Sequence, residues 1–218
     1  MSFYDDFTPI LASLASHHAD TFSGSTHNHG TVALGSGGIK LIFIACQLTS
    51  ASARTLTGVS VAGNAATEII PLVTYSTGGD YSYMAVWAIA DSVNTSGNVT
   101  LTWGQSTAGS EIAVVSLANA KSVTPDDTAT DTNGTLDMSV DVSGGGVVVA
   151  MASAGTGSPT FTWTGLTELY DGASGVGSWS MSMAASAFPS GVSGLSISAA
   201  SSSGTARSIG AAVVYNPL

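Results

Sequence analysis

All four histidines of the chain fall within its first thirty residues: His17, His18, His27 and His29. His27-Asn28-His29 sets two imidazoles at a spacing that sends both rings to one face of an extended backbone. With His17, His18 and Asp20 they supply the ligand types that transition metals take. The competing reading is a polar segment whose histidines make contacts between chains. That reading is preferred, and no metal or cofactor site is assigned.

A second cluster is acidic: Asp126, Asp127, Asp131, Asp137 and Asp141, with no base among them. Hard cations take oxygen ligands from Asp/Asn/Gly loops, and Asp131-Thr132-Asn133-Gly134 has that composition. A calcium-loop spacing would need an acid at 129 and a glutamate at 140, where the chain has Ala129 and Val140. The cluster reads instead as a solvated edge that discourages strand-to-strand aggregation.

Nucleophile patterns fail. Gly172-Ala173-Ser174-Gly175-Val176 and Gly191-Val192-Ser193-Gly194-Leu195 both lack the last glycine of a nucleophile elbow. Gly35-Ser36-Gly37 runs on to Lys40 without the further glycine that a phosphate-cradling loop requires. The carboxylates Glu68, Glu111 and Glu168 show no pairing suited to glycoside hydrolysis. Cys46 is the lone cysteine, sits in an apolar run and reads as a small buried hydrophobe. No catalytic residue is assigned. Trp87, Trp103, Trp163 and Trp179 are expected in the core, while Tyr75, Tyr81, Tyr170 and Tyr215 are the candidates for stacking on a sugar.

The elements that must position these residues follow a two-residue period. Val99, Leu101 and Trp103 alternate with polar neighbours, as do Leu136, Met138, Val140 and Val142. Tyr81–Ala90, Ser178–Ala187 and Leu195–Ala199 alternate in the same way, so each is expected to turn one face to a core and one to water. Four runs differ: Ile39–Cys46, Ile112–Leu117, Val147–Ala152 and Ile209–Tyr215 are apolar or small on both faces. They are expected at sheet centres, covered on two sides. Turn chemistry at Thr77–Asp80, Asn94–Gly97, Asp131–Gly134, Asp171-Gly172 and Ser201–Gly204 separates the strands.

The pattern is also written twice. Gly37-Gly38-Ile39 is echoed by Gly145-Gly146-Val147, Thr55–Ser60 by Thr162–Thr167, Tyr83–Val86 by Ser180–Met183, and Val99-Thr100-Leu101 by Leu195-Ser196-Ile197. The expected fold is all-β: an antiparallel β-sandwich, jelly-roll-like, built from an internal duplication, with an extended N-terminal arm. The arm is residues 1–36, with one or two helical turns expected near Pro9–Ala15. The duplicated sandwich is 37–218, as half-repeats of about 37–120 and 145–218 joined by the acidic segment 121–144.

Composition restricts partners. Ser, Thr and Gly are 85 of 218 residues, charged residues are 8% and the formal charge is −10. Such a surface is hydrated yet repels neighbours weakly, which suits close packing against copies of itself. With Lys40, Arg54, Lys121 and Arg207 as the only bases, neither nucleic acid nor an anionic membrane is an expected partner. The acidic start Met1–Asp6 does not read as a signal peptide, and no apolar run approaches the ~18 residues of a spanning helix.

The segment Pro125–Asp131, then Ser143-Gly144-Gly145-Gly146-Val147-Val148-Val149-Ala150, then Phe161–Asp171, resembles small β-rich virion proteins of tailed bacteriophages and gene-transfer particles. Val59–Thr67 looks like a matching strand and turn, and the resemblance covers about 37–218. It implies a non-enzymatic structural protein of the virion, made in the host cytoplasm, that decorates or cements a capsid. The partners implied are other copies of the chain, a trimer being one option, and the major capsid protein. Phe3, Tyr4, Phe7, Ile10, Leu11 and Leu14 are the apolar residues expected to make those contacts. The alternative is a tail- or fibre-associated module that binds a host glycan.

Overall fold

In the computed structural model the described residues are 8–48, 53–78, 80–155, 159–173, 179–203 and 207–217. They contain strands and no helix. In chain order these are β1 (Leu11–Ala33), β2 (Ile39–Leu48), β3 (Leu56–Val61), β4 (Asn64–Ala65) and β5 (Thr67–Thr77). Next come β6 (Asp80–Ala90), β7 (Ser96–Ala118), β8 (Asp127–Asn133), β9 (Thr135–Val142) and β10 (Gly146–Gly155). The last five are β11 (Phe161–Thr164), β12 (Thr167–Ala173), β13 (Trp179–Phe188), β14 (Val192–Ser201) and β15 (Arg207–Tyr215). Every ladder is antiparallel.

The first half builds one main sheet, in which β2 lies between β7 and β6 with β5 outside β6. The second half builds another, in which β10 lies between β15 and β13 with β12 outside β13. The strands of the first half form one continuous seven-stranded sheet carried round by β7, whereas the second half adds a separate three-stranded sheet. In the first, β3 pairs with the N-terminal stretch of β7; in the second, β11 and β9 flank β14. At 23 residues β7 is long enough to serve both layers of its half, and β1 follows it along both. The second half divides that work, β8 pairing with β15 and β9 with β14.

Four layers therefore stack around three cores. The two main sheets face each other through Leu41, Phe43, Met84, Val86 and Val115 on one side and Val149, Met151, Met181, Met183 and Val213 on the other. The outer face of the first main sheet packs Ile42, Ile44, Trp87 and Val114 against Val59, Leu101 and Trp103. The outer face of the second packs Val148, Ala150 and Val214 against Met138, Val140 and Ile197, with Leu136, Phe161 and Ala199 continuing the layer. The four runs expected at sheet centres are there, and protein covers them on both faces.

The structure departs from the sequence expectations in three places, one being Asp171-Gly172, expected as a turn, which lies inside β12 and pairs with Ser182 and Met181 of β13. Pro9–Ala15 does not coil. Residues 11–33 are a strand bonded along β7, and Ile10, Val32 and Leu34 are buried, so this segment is the edge of the first half and no detachable arm. Tyr81–Ala90 and Ser178–Ala187, the latter described from Trp179 on, were expected to be wet on one face. Both lie between other strands with both faces buried, because Met84, Val86 and Ala88, with Met181 and Met183, fill the central core.

Lys40 interrupts the apolar run of β2, yet it is fully buried. Its Nζ donates to the carbonyl of Gly35 at 2.7 Å and also to that of Gly37, in the connection from β1. The connection is tight: a Cβ on Gly37 would lie 2.3 Å from the Leu117 carbonyl oxygen. A sharper case is Gly165, at φ +88°, where a Cβ would lie 2.4 Å from the Ser196 carbonyl oxygen. Gly194, at φ +63°, has open space around it. Both substitutions to Ala meet the left-handed penalty of about 1 kcal/mol, but G165A must also push backbone aside. The G165A loss in urea unfolding is expected to exceed that of G194A by about 1–3 kcal/mol.

Candidate functional site

β7 carries the buried polar groups Thr107, Ser110 and Glu111 opposite the irregular middle of β1. The register between the two strands slips at Thr21/Gly24, Gly24/Thr26 and Asn28/Thr31. These bulges bend β1 as it passes from the main sheet to the outer one. They also aim its histidines at β7.

Alternation along β7 splits the cluster between two faces. Ser110 looks into the outer core of the first half. His27 Nδ1 and His29 Nε2 each lie 2.8 Å from its Oγ, and Thr107 Oγ1 lies 2.8 Å from His27 Nε2. Two hydroxyls and two rings thus form one chain, Thr107–His27–Ser110–His29. Phe22 stacks on His27 at 4.2 Å and meets His29 edge-on at 5.1 Å. Burial holds the His27 imidazole below its ordinary value and takes His29 down to about 3, where His18 and His27 add repulsion and Asp20 partly offsets it. Both rings are neutral near pH 7. His29 Nδ1 is buried and unpartnered.

Glu111, the next residue, looks into the interface between halves. Its Oε1 pairs with His17 Nε2, and Tyr170 of β12 stacks on His17 at 4.3 Å. Burial raises the Glu111 carboxyl, and the hydrogen bond and charge of His17 work against that rise. At the same end of the interface Arg207 of β15 pairs with Asp80 of β6 at 3.2 Å, and Ser82 donates to Gln47 Oε1 at 2.8 Å. Polar contacts thus cross between the halves where the apolar core ends.

The expected same-face geometry of His27 and His29 holds, but the rings converge on a serine. No group of three or more metal-ligating side chains occurs among the described residues. A Ser–His contact is the raw material of nucleophilic catalysis, yet Ser110 is 0% exposed and a substrate has no approach to it. Cys46 is fully buried, its thiol donating to the Gly109 carbonyl, and burial pushes it up to about 12.

The aspartates serve the backbone. Asp131 Oδ2 accepts from the Asp137 amide at 2.7 Å and Asp127 Oδ2 from the Asp141 amide at 2.8 Å, tying β8 to β9. Asp141 Oδ1 accepts from Gly194 N and Ser193 Oγ, which lowers its carboxyl.

Among the aromatics, Trp87, Trp103 and Trp179 are buried, and Trp163 packs on the outer core of the second half and donates to Ser182. Tyr215 is buried and donates to the Val123 carbonyl. Tyr81 is part-buried and stacks on the fully buried Tyr83.

Of the expected contact residues, Phe3, Tyr4 and Phe7 lie outside the described residues, as does Ser174 of the first elbow-like segment. Ile10 is 1% exposed and sits in the central core, Leu14 packs against that core, and Leu11 is 55% exposed. Sequence reasoning passed over Ser110 and Thr107 and weighed Glu111 only as an unpaired carboxylate, and the available signal was polar Ser110-Glu111 opening an otherwise apolar run.

No family model and no curated protein matches the chain. Among solved structures it is similar to the Streptococcus agalactiae AgI/II polypeptide BspA C-terminal domain, at 9% identity over 96% of this chain and 91% of that one, with a TM-score of 0.23. A mutant of the BspA C-terminal region gives 9% identity, 95% and 90% coverage and a TM-score of 0.20. Superpositions this loose support no argument about fold or function. No helix among the described residues is long and apolar enough to cross a membrane.

Two outcomes follow. Ser110→Ala removes the shared partner of two buried rings and is expected to cost about 1–3 kcal/mol in chemical denaturation, against a few tenths for Ser139→Ala on the wet face of β9. Cys46 is expected to react with a thiol reagent only as fast as the chain unfolds, measured as labelling rate against denaturant.

Proposed function

We propose that the chain is a non-enzymatic structural protein of a virion that decorates or cements a bacteriophage capsid. The observation that carries this reading is the double burial of both main sheets. It makes a stiff block in which His17, His27, His29, Glu111, Cys46 and Lys40 are committed to internal contacts. The outer sheets present Thr26 and Asn28 of β1, Thr102 of β7, and Thr135 and Ser139 of β9. Such a hydroxyl-rich, weakly charged exterior supports close packing in a shell. The resemblance of residues 37–218 to phage virion proteins points the same way.

Within this proposal the two halves are copies of one jelly-roll-like unit. The echoed segments hold like places: Val86 stands opposite Phe43, and Met183 opposite Met151. On this view β1 in the first unit corresponds to β8 and β9 in the second, so the units run from about 11 to 118 and from 127 to 215.

Self-association and capsid contact are assigned to the N-terminal end. Leu11 is the exposed member of the contact set. Pro9, Phe188, Pro189 and Pro217 line an apolar groove of about 690 Å³ where residues 1–7 join the described chain. Deleting residues 1–8 leaves β1 whole, whereas deletion through residue 30 would strip most of it from β7. The shorter deletion is expected to keep the thermal unfolding midpoint and to lose self-association and co-sedimentation with particles. A truncated chain that still assembles, or a mass-spectrometric inventory of particles without the polypeptide, would count against the proposal.

A further inference from the structure

The two halves solve one packing problem with different chemistry. In the second, β9 lays Met138 opposite Ile197 and, two residues on, Val140 opposite Leu195. In the first, β1 lays His27 opposite Leu101 and, two residues on, His29. Both pairs of side chains are buried in the outer core of their half. The first half has therefore placed two ionisable rings where the second keeps two hydrocarbons, on a strand at the edge of its sheets whose ladder is already broken by bulges.

The surroundings give a proton on those rings little help. From β7 this face receives hydroxyls, Thr107 and Ser110. From β2 it receives the Cys46 thiol and from β6 the Tyr83 phenol, which accepts from the Arg54 amide. Arg54, ahead of β3, sends its guanidinium Nε to the Ser106 carbonyl. On β1 itself stand His18, edge-on to His29 at 5.4 Å, and the exposed Asp20. Glu111 is on the other face of β7, paired with His17.

We propose that the seam between β1 and β7 is an acid-labile latch, in which protonation of His27 and His29 frees residues 24–33 while the second half stays folded. The sign follows from linkage. The rings are held neutral in the folded chain and titrate near 6.5 in the open one, so the open form binds more protons at mildly acidic pH and closure weakens as pH falls below about 6.5. Release starts in the C-terminal half of β1. Its N-terminal half stays tied by the pairing of His17 with the buried Glu111. Opening bares one edge of β7, which becomes available to another strand.

The test is native-state hydrogen exchange on the full chain at about pH 7 and pH 5, corrected for intrinsic rates. Each pH unit below 6.5 over which a buried ring stays neutral multiplies the opening constant by about ten. Residues 24–33 and their partners 97–102 are therefore expected to lose at least about tenfold protection, and 147–155 and 209–215 to keep theirs. The double variant H27M/H29V, which installs the residues of the second half, is expected to abolish the difference. Equal loss in both halves, or loss that persists in the variant, overturns the proposal. Should the variant fail to fold, histidine NMR titration of the unmodified chain decides. His27 and His29 must stay neutral in the closed form and gain protons as protection falls; rings that titrate near 6.5 with protection intact overturn it.

Discussion

Four runs in this chain cannot meet water on either side, and the rest of the architecture answers to the two at the middle of the main sheets. β2 and β10 are apolar on alternate residues in both directions. A strand like that must lie inside a sheet that is itself covered twice. One sandwich buries one face of each of its sheets. Two sandwiches set main sheet to main sheet bury both, at the cost of making the halves inseparable. Separating them would bare Phe43, Met151, Met183 and the rest of the central core together, at about 1.5–3 kcal/mol for each large side chain. The halves are thus one mechanical body.

That constraint also explains where the polar groups went. The apolar register of the central core gives out at one end, and there Glu111, His17, Gln47, Ser82, Asp80 and Arg207 take over. Buried polar groups are tolerable when they find partners: His17 pairs with Glu111 across the seam of β1 with β7, Arg207 with Asp80 across the junction between halves, and Ser82 with Gln47 between β6 and β2, while Glu111 Oε2 and Gln47 Nε2 are left without a hydrogen bond. The result fixes alignment more than it adds stability, since a buried ion pair seldom outdoes a hydrocarbon pair of the same volume. A chain that spends His27, His29, Cys46 and Lys40 inside offers chemistry to itself before it offers any to a substrate.

The sequence disclosed the strands well and the layers badly. The alternation of Leu136, Met138, Val140 and Val142 with Thr135, Asp137, Ser139 and Asp141 is a wet strand face and is found as one. The same rule misread Tyr81–Ala90, because Met84, Val86 and Ala88 stand between aromatics and a period of two assigns the smaller set to solvent by contrast alone. Apolar side chains of moderate size are what a second core layer needs, and periodicity does not say how many layers exist. Residues 11–33 were misread for a related reason. Ser, Gly, Thr and His give no hydrophobic period, so the strand has no local signature and exists through its ladder with β7.

What the amino-acid sequence settled by itself is whatever depends on neighbours along the chain: the all-β class, most of the turns though not Asp171-Gly172, the four double-sided strands, the sparsely charged composition and the same-face geometry of His27 and His29. Those follow from backbone alternation and side-chain size, both local. Only the tertiary structure decided that residues 11–33 belong to a sheet, that three cores exist, and that His27 and His29 meet Ser110 while His17 meets Glu111. Those facts join positions about eighty to ninety-four residues apart. Such pairings are chosen by the stacking of sheets, which must satisfy every buried face at once, and no short window of sequence contains that condition.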